Sequence, residues 1–306
     1  MLAQRLKPGD KLGIVAPSSS VTPETEALLQ NGVSYLDALG FHMVVGRHVH
    51  STALGSCASP EEKAEDINEM FADPSISGII CAQGGATSNA CLTHLSWSTI
   101  QANPKVFMGM SDITVLLNAI HAKTTLVTFH GTDLMWGFGR NPSEYDRDGF
   151  VRTLMEGRPA LVAPNGERRT IRGGRCEGVA LGGNLRCFLK LAGTPFFPDT
   201  DGAILFLEAA DISSETCDHM FHQLKHMGVF GKVHGVVVGH VDGLQTAADS
   251  IQMEDVLQRV SAEYRFPILK VSDFGHNCPN TVVPIGARVS VDADGQTIAQ
   301  TGPFVA

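Results

Sequence analysis

The chain has 306 residues, of which 43% are hydrophobic and 18% charged, so it is long enough for two globular domains with well-developed cores. Its formal net charge of −9 argues against nucleic acid or an anionic membrane as the main partner and favours a small cationic or zwitterionic substrate. No signal-peptide core is seen near Met1, and the seven cysteines include no Cys-x-x-Cys pair; a cytoplasmic protein without a disulfide framework or zinc ribbon is expected.

Strands alternate with helices through the first half of the chain. Thr22 and Pro23 are expected to open a helix that Gly40 ends, and the capping box Ser59-Pro60-Glu61-Glu62 opens another. Apolar runs predict strands at residues 11–16, 41–45, 77–82, 106–108 and 125–129. This alternation predicts a parallel sheet with right-handed crossovers, in which the loops at the carboxyl ends of the strands carry ligands.

Ser111 lies where the strand at 106–108 is expected to give way to a helix. Gly109 and Met110 form the turn, and apolar residues recur at helical spacing from Asp112 onward. A serine here lies beside the free amides of a helix N-terminus, as in a nucleophile elbow, although Ile113 replaces the second glycine of the usual G-x-S-x-G pattern. The alternative is that Ser111 or Asp112 is an ordinary N-cap.

A glycine pair, Gly84-Gly85, follows the third predicted strand and precedes a further expected helix. Its loop should face the same crevice as Ser111, because both follow strand ends of one parallel sheet. A glycine pair lets a backbone amide point into a crevice with no side chain in the way, as an oxyanion hole requires. An ordinary tight turn is the alternative.

The second half of the chain begins after a polar segment rich in Gly, Pro and Arg, residues 137–174, with one helical pattern at 150–155. We interpret this segment as an interdomain connection. Beyond it, Gly182-Gly183-Asn184 follows a short strand and precedes a helical run at 185–191. Further strands are predicted at residues 203–207, 236–238, 268–271 and 287–291.

A catalytic serine needs a base and a third group that orients the base. Glu208 ends the strong strand at 203–207, so the sheet would hold its carboxylate in place. His276 stands out among twelve histidines because it lies in a Gly- and Pro-punctuated loop just after a strand, where side chains are presented to solvent. A loop histidine without a role is the alternative.

A row of histidines follows Glu208 on a predicted helix. Glu215, His219, His222 and His226 are spaced by four, three and four residues, so they can share one face. This is a candidate metal site, but the spacing lacks the H-E-x-x-H arrangement and no nearby motif adds ligands. Because other residues of this helix already form an apolar face, we interpret the histidines as part of its solvated polar face and expect no metal.

Several motifs together resemble the LD-carboxypeptidase family of serine peptidases, over nearly the whole chain. They are Ala16-Pro17-Ser18, Gly84-Gly85, the elbow at 109–114, Gly182-Gly183-Asn184-Leu185, the strand ending in Glu208, Gly275-His276 and Pro284-Ile285-Gly286. The resemblance implies an α/β protein with an N-terminal Rossmann-like parallel sheet flanked by helices and a C-terminal β-rich α/β domain. We assign residues 1–136 and 175–306 to these domains and residues 137–174 to their connection.

The resemblance also implies a triad divided between the domains. Ser111 would be the nucleophile, His276 the general base and then acid, and Glu208 the group that orients the imidazole. The backbone amides of Gly85 and Asp112 would form the oxyanion hole. Gly84, Asn184 and Trp136 are candidates for substrate contacts. The resemblance implies no metal or organic cofactor, and neither nucleic acid nor a membrane as a partner. It implies a homodimer.

Two branches of the family suggest two substrates. We name first a murein peptide, cleaved at the amide bond to its C-terminal D-amino acid. The alternative is the microcin C immunity branch, which cleaves aminoacyl or peptidyl sulfamoyl or phosphoramidate adenylates. The loop at 83–89, the Thr128-Phe129-His130-Gly131 segment and Trp136, whose ring could stack on a base, resemble that branch, although a core tryptophan is the more ordinary interpretation. A non-catalytic ligand-binding protein on the same sheet is the rival from another class.

Overall fold

A computed structural model describes residues 1–244 and 251–306. The strands of this described part are β1 (Lys11–Val15), β2 (His42–Val45), β3 (Ile76–Cys81), β4 (Val106–Gly109), β5 (Thr128–His130), β6 (Arg169–Arg172), β7 (Arg175–Asn184), β8 (Ala203–Ala209), β9 (Gly235–Val241), β10 (Ile268–Gly275), β11 (Val283–Ile285), β12 (Arg288–Asp292) and β13 (Thr297–Gln300). Its α-helices are α1 (Glu26–Ala38), α2 (Pro60–Ala72), α3 (Trp97–Ala102), α4 (Thr114–Thr124), α5 (Glu144–Phe150), α6 (Leu185–Leu189), α7 (Ser214–His226) and α8 (Met253–Val260).

The first sheet has the strand order β11-β5-β4-β3-β1-β2. Its first five strands along the chain run parallel to one another, as the alternation of strands and helices predicts. β11 comes from far along the chain and pairs with β5 in the antiparallel sense. The carboxyl ends of β3 and β4 therefore lie at one edge, next to the end of β5.

The second sheet has the order β13-β12-β7-β8-β9-β10-β6. The four central strands, β7 to β10, are parallel, whereas β6 and β12 pair with them in the antiparallel sense. Apolar side chains of β8 and β9 are fully buried and form the centre of the larger hydrophobic core. The predicted fold class, a Rossmann-like parallel sheet with helices and a second β-rich α/β domain, is confirmed.

Two predicted elements begin later than expected. Helix α1 starts at Glu26 rather than near Thr22, because Thr22 and Thr25 form a turn in which the Thr22 amide donates to Thr25 Oγ1 at 3.0 Å. β5 starts at Thr128 rather than 125, because Thr125 ends α4 in a left-handed conformation with φ of 62°. By contrast, the capping box at Ser59 is confirmed, with Ser59 Oγ accepting from the Glu62 amide.

The segment interpreted as an interdomain connection, residues 137–174, contributes to both halves of the protein. Phe150, at the end of α5, packs edge-on against Phe41 and Phe138 in the core of the first half. β6 joins the second sheet by pairing with β10. The domain limits at residues 136 and 174 stay a prediction.

In residues 1–244 and 251–306 no helix has the length and apolar character needed to cross a membrane. All seven cysteines are free, and five of them are buried.

Candidate active site

A cavity of about 620 Å³ opens where the carboxyl ends of β3, β4, β5 and β10 come together. Its lining brings together residues from both halves of the chain. They include Gly84, Gly85, Ser111, Asp133, Trp136, Arg140, Asp146 and His276. The predicted nucleophile, glycine pair and base therefore face one space.

Ser111 has a left-handed backbone, with φ of 59°, and is separated from the end of β4 by Met110 alone. A short 3-10 turn, Ser111–Ile113, leads from it into α4, and neither segment has a side-chain N-cap hydrogen bond. The interpretation of Ser111 or Asp112 as an N-cap is therefore wrong. A positive φ at a non-glycine residue is strained, and such strain is concentrated at functional sites.

The glycine pair lies directly against the serine. A Cβ atom added to Gly84 would lie 2.6 Å from Ser111 Cβ and 3.4 Å from the Asp112 amide nitrogen. Gly85 has φ of 146°, and a Cβ there would lie 2.2 Å from Ser19 Oγ. Only glycine fits at either position, so the loop backbone approaches Ser111 as an oxyanion hole would require.

The Asp112 carboxylate ties the elbow to the glycine-pair loop. It is fully buried, and its Oδ2 accepts hydrogen bonds from Ser18 Oγ at 2.6 Å and from the Ser88 amide at 2.8 Å. Its Oδ1 pairs with Lys190 Nζ, which also donates to the Ala86 carbonyl at 2.9 Å. Burial alone would raise the pKa of Asp112, but these hydrogen bonds and the lysine charge hold it below its usual value.

Glu208 and His276 are hydrogen-bonded to each other. The Glu208 carboxylate is fully buried near the end of β8, and His276 follows β10; His276 Nδ1 lies 2.6 Å from Glu208 Oε2. The other ring nitrogen, Nε2, is left for a partner in the cavity. Among the described residues, the Ser111 hydroxyl makes no hydrogen bond to this ring, which bonds to Glu208; catalytic contacts of this kind are often long before substrate binds.

The charges of this pair shift both pKa values. Burial disfavours the charged form of each group, but the ion pair outweighs it. The pKa of Glu208 is therefore held below its usual value and that of His276 above 6.5. Asp133 and Asp242 also raise the pKa of His276.

A second histidine, His130, lies buried at the end of β5 behind this pair. Its ring meets Phe274 edge-on with centroids 6.1 Å apart, and a Cβ on Gly183 would come within 2.9 Å of its Cδ2. Neither ring nitrogen has a hydrogen-bond partner among the described residues, and Glu208 Oε1 has none either. Burial lowers the pKa of His130 to about 4, so this ring is neutral near pH 7.

Asn184, predicted to contact substrate, is placed next to Glu208 in the β7–β8 register. Its side-chain oxygen accepts a hydrogen bond from the Cys187 amide at 3.2 Å and so caps α6. Its own amide donates to Thr114 Oγ1 at 2.9 Å. Asn184 is not among the described residues that line the cavity, and its contact with substrate stays a prediction.

Trp136 lies at the cavity rather than in the core, with 42% of its surface exposed. Its indole Nε1 donates to Gln83 Oε1 at 2.8 Å, and the Arg140 guanidinium carbon lies 4.2 Å from its ring centroid. The more ordinary interpretation, a core tryptophan, is therefore wrong. The hydrogen bond fixes the ring in an orientation where a planar ligand could stack on it.

Sequence reasoning missed Asp133, which lines the cavity and is only 3% exposed. Its Oδ1 accepts hydrogen bonds from the amides of Trp136 at 2.7 Å and Gly137 at 3.1 Å. Burial raises its pKa to about 6. The available signal was its position in the loop after β5, the same kind of position as that of Ser111 after β4.

The histidine row lies on helix α7, away from this cavity. His222 Nδ1 lies 2.9 Å from the Asp218 carbonyl oxygen, and the His222 and His226 ring centroids are 6.0 Å apart. Throughout the part of the chain that the structure describes, no three His, Cys, Asp or Glu side chains are grouped so as to hold a metal ion.

Two family models match successive parts of the chain. The model described as the LD-carboxypeptidase N-terminal domain matches residues 12–131, and the model described as its C-terminal domain matches residues 177–291. Ser111 lies within the first matched range, and Glu208 and His276 lie within the second.

Individual relatives match over nearly their full lengths. The chain is 30% identical to the probable murein peptide carboxypeptidase of Bacillus subtilis, over 95% of this chain and 92% of that protein. It is 29% identical to the microcin C7 self-immunity protein MccF of Escherichia coli, over 100% of this chain and 97% of that protein. The solved structure of MccF in complex with aspartyl sulfamoyl adenosine is similar with a TM-score of 0.92, at 28% identity, covering 100% of both chains.

Proposed function

The chain belongs to the LD-carboxypeptidase family, and on that premise we propose that this serine-type carboxypeptidase cleaves its amide bond through an acyl-enzyme formed on Ser111. The observation that carries the proposal is the 2.6 Å hydrogen bond between His276 Nδ1 and Glu208 Oε2, beside a cavity that the strained Ser111 also lines. A base oriented by a buried carboxylate, beside a serine hydroxyl that lines the same cavity, is the arrangement that activates a serine.

The proposed reaction has two steps. Nδ1–H of His276 donates to Glu208, so Nε2 carries the lone pair that accepts the Ser111 proton as the hydroxyl attacks the scissile carbonyl. The imidazolium then gives this proton to the departing nitrogen. In the second step His276 takes a proton from water, which attacks the acyl-enzyme and releases the acid, and the proton returns to Ser111 Oγ.

The amides of Gly85 and Asp112 are proposed to hold the oxyanion. Asp112 lies in the first turn after the elbow, where backbone amides have no intrahelical acceptor. The missing side chain at Gly84 brings the loop against Ser111. Each donor of this kind contributes about 3 kcal/mol to transition-state stabilisation.

The first proposed substrate is a murein peptide with a C-terminal D-amino acid. This assignment is supported by the relatives named murein peptide carboxypeptidase and murein tetrapeptide carboxypeptidase. Release of a C-terminal residue leaves the new carboxylate on the shortened peptide.

The alternative substrate is an aminoacyl or peptidyl sulfamoyl or phosphoramidate adenylate. The observation that favours it is Trp136, whose exposed ring at the cavity is fixed by Gln83 and could stack on a nucleobase. MccF, solved with aspartyl sulfamoyl adenosine, matches this chain over its whole length.

A cytoplasmic location and a homodimer belong to the same proposal. They are supported by the family resemblance in the sequence. Light scattering of the purified protein would report a mass of twice 32.7 kDa for the dimer.

The test is to incubate the purified protein in parallel with a murein tetrapeptide and an aminoacyl sulfamoyl adenosine, and to follow the products by mass spectrometry. We expect release of D-alanine from the peptide, and loss of at least about 10³-fold in kcat for Ser111→Ala. Cleavage of the adenosine conjugate alone would select the alternative. Full turnover by Ser111→Ala would overturn the proposed nucleophile.

A further inference from the structure

The cavity contains a buried carboxylate that the proposed mechanism does not use. Asp133 is only 3% exposed, yet it lines the same cavity as Ser111 and His276. A buried carboxylate is costly unless its charge is compensated. Its partners therefore indicate what the site is built to receive.

Only one of the two Asp133 carboxylate oxygens accepts hydrogen bonds from the described residues of the protein. Oδ1 accepts the hydrogen bonds from the Trp136 and Gly137 amides and so closes the loop after β5. Among the described residues Oδ2 accepts no hydrogen bond, so it is the oxygen available to the cavity. An asparagine would close this loop equally well through its own Oδ1, so the loop does not require the negative charge.

A second carboxylate of the cavity shows the contrast. Asp146 accepts on Oδ1 from Thr132 Oγ1 and the Asn280 amide, each at 2.8 Å. Its Oδ2 accepts from the Ser143 amide at 2.9 Å and the Ser143 hydroxyl at 2.6 Å. Both oxygens of Asp146 are therefore occupied by the protein, and this carboxylate has a structural role.

The cations near Asp133 have other partners. The Arg140 guanidinium lies over the Trp136 ring, and His276 is hydrogen-bonded to Glu208. In residues 1–244 and 251–306 no Lys, Arg or His forms an ion pair with Asp133. The His276 and Arg140 charges lower the pKa of Asp133 only from a distance, so a cation in direct contact with its Oδ2 would come from the ligand.

We propose that Asp133 binds an ammonium group carried by the acyl part of the substrate, on the amino-terminal side of the bond that is cut. This inference rests on the proposed function. Neither proposed leaving group, a D-amino acid with a free carboxylate or a sulfamoyl nucleoside, brings a cation of its own while the amide is intact. The ammonium group therefore has to be on the acyl side.

Asp133 could instead act only through His276, whose charge it stabilises. Such an effect would change the rate for every substrate by the same factor. Recognition of an ammonium group changes the preference between a substrate that has the amine and one that lacks it. This difference separates the two roles.

The experiment compares matched substrates with the wild type and with Asp133→Asn. One pair is alanyl sulfamoyl adenosine and its propionyl counterpart, which lacks only the amine. The other is acetyl-L-lysyl-D-alanine and acetyl-L-norleucyl-D-alanine. We expect the wild type to prefer the amine in whichever pair it cleaves, and Asp133→Asn to reduce the ratio of the two kcat/KM values about 10- to 100-fold.

Asp146→Asn is the matched control, because it removes a carboxylate of the same cavity whose oxygens the protein already occupies. It should leave the amine preference unchanged even if both rates fall. An unchanged preference in Asp133→Asn, or no preference in the wild type, would overturn the proposal.

The two proposals can fail separately. If neither pair is cleaved, the proposed function fails for these substrates, and calorimetric binding of the same four compounds to the wild type and Asp133→Asn becomes the readout. Tighter binding of the amine-bearing compound that Asp133→Asn abolishes would still support the ammonium site. Equal binding of amine and amine-free compounds would overturn it.

Discussion

Ser111 is the residue at which local strain and proposed chemistry coincide. Its φ of 59° costs a non-glycine residue about 1–3 kcal/mol, and the cost is borne by the packing of β4 and α4 around it. This backbone conformation places Ser111 in the lining of the cavity. Relief of the strain should therefore be separable from loss of the hydroxyl.

Replacement of Ser111 by glycine should abolish turnover and still stabilise the fold. Glycine adopts positive φ without a Cβ clash, so we expect the free energy of unfolding to rise by about 1 kcal/mol in urea denaturation. Ser111→Ala is the control: it also removes the hydroxyl but keeps the Cβ, and should show no such gain. Equal stabilities of the two variants would contradict the strain argument.

The His276–Glu208 pair determines the expected pH dependence. His276 must be neutral to accept the serine proton, and its pKa lies above 6.5 because the Glu208 carboxylate stabilises the charged ring. The value of kcat/KM should therefore fall as the pH drops through that raised pKa. Below it the imidazolium has no lone pair for the proton.

Glu208→Gln should shift this acid limb to lower pH, because the ring loses the charge that raises its pKa, and should lower the plateau about 10³- to 10⁴-fold. Asp133 and Asp242 still face His276 and keep part of the upward shift. A pH series of kcat/KM from 5 to 9 for both proteins measures the two effects. If Glu208→Gln left both the acid limb and the plateau of kcat/KM unchanged, Glu208 would not belong to the proposed triad.

At the scale of elements, an ion pair joins the end of helix α6, in the second half, to the elbow of the first half. Lys190 directly follows α6, and its ammonium contacts both the buried Asp112 carboxylate and the Ala86 carbonyl of the glycine-pair loop. Both proposed oxyanion donors belong to segments that this lysine holds.

Lys190→Met should lower the free energy of unfolding by about 2–4 kcal/mol, because it leaves the buried Asp112 charge without its cation. Lys225→Met is the matched control. Lys225 pairs at 3.0 Å with Glu263, whose side chain is 62% exposed, so its loss should cost less than about 1 kcal/mol. Equal urea midpoints for the two variants would show that the Lys190–Asp112 pair stabilises the fold no more than the exposed Lys225–Glu263 pair.

The elements that were predicted well from the sequence are those that depend on local residue patterns. The Ser59 capping box and the strands before Gly84 and Ser111 depend on neighbours a few residues away. Asp112 was predicted as a backbone donor or an N-cap, and its ion pair was not foreseen, because Lys190 lies 78 positions along the chain. No periodicity reveals a contact at that distance.

At the scale of the whole molecule, the two sheets are brought together at the carboxyl ends of their strands. The loops at these strand ends bring Ser111 of the first sheet close to Glu208 and His276 of the second. The parallel order of the first sheet was predictable from the alternation of strands and helices. The strands β6, β11 and β13 were missed because they lack a plain apolar run: β6 reads RTIR, β13 reads TIAQ and β11 contains Pro284.

The pairing of β11 with β5 has a consequence for synthesis on the ribosome. β5 ends at His130, and its antiparallel neighbour begins at Val283, about 150 residues and on the order of 10 s of translation later. Until then the edge of β5 is open in the nascent chain and is a template for wrong pairing with other chains. His276 also emerges late, so a nascent chain carries the serine long before it has a base to activate it.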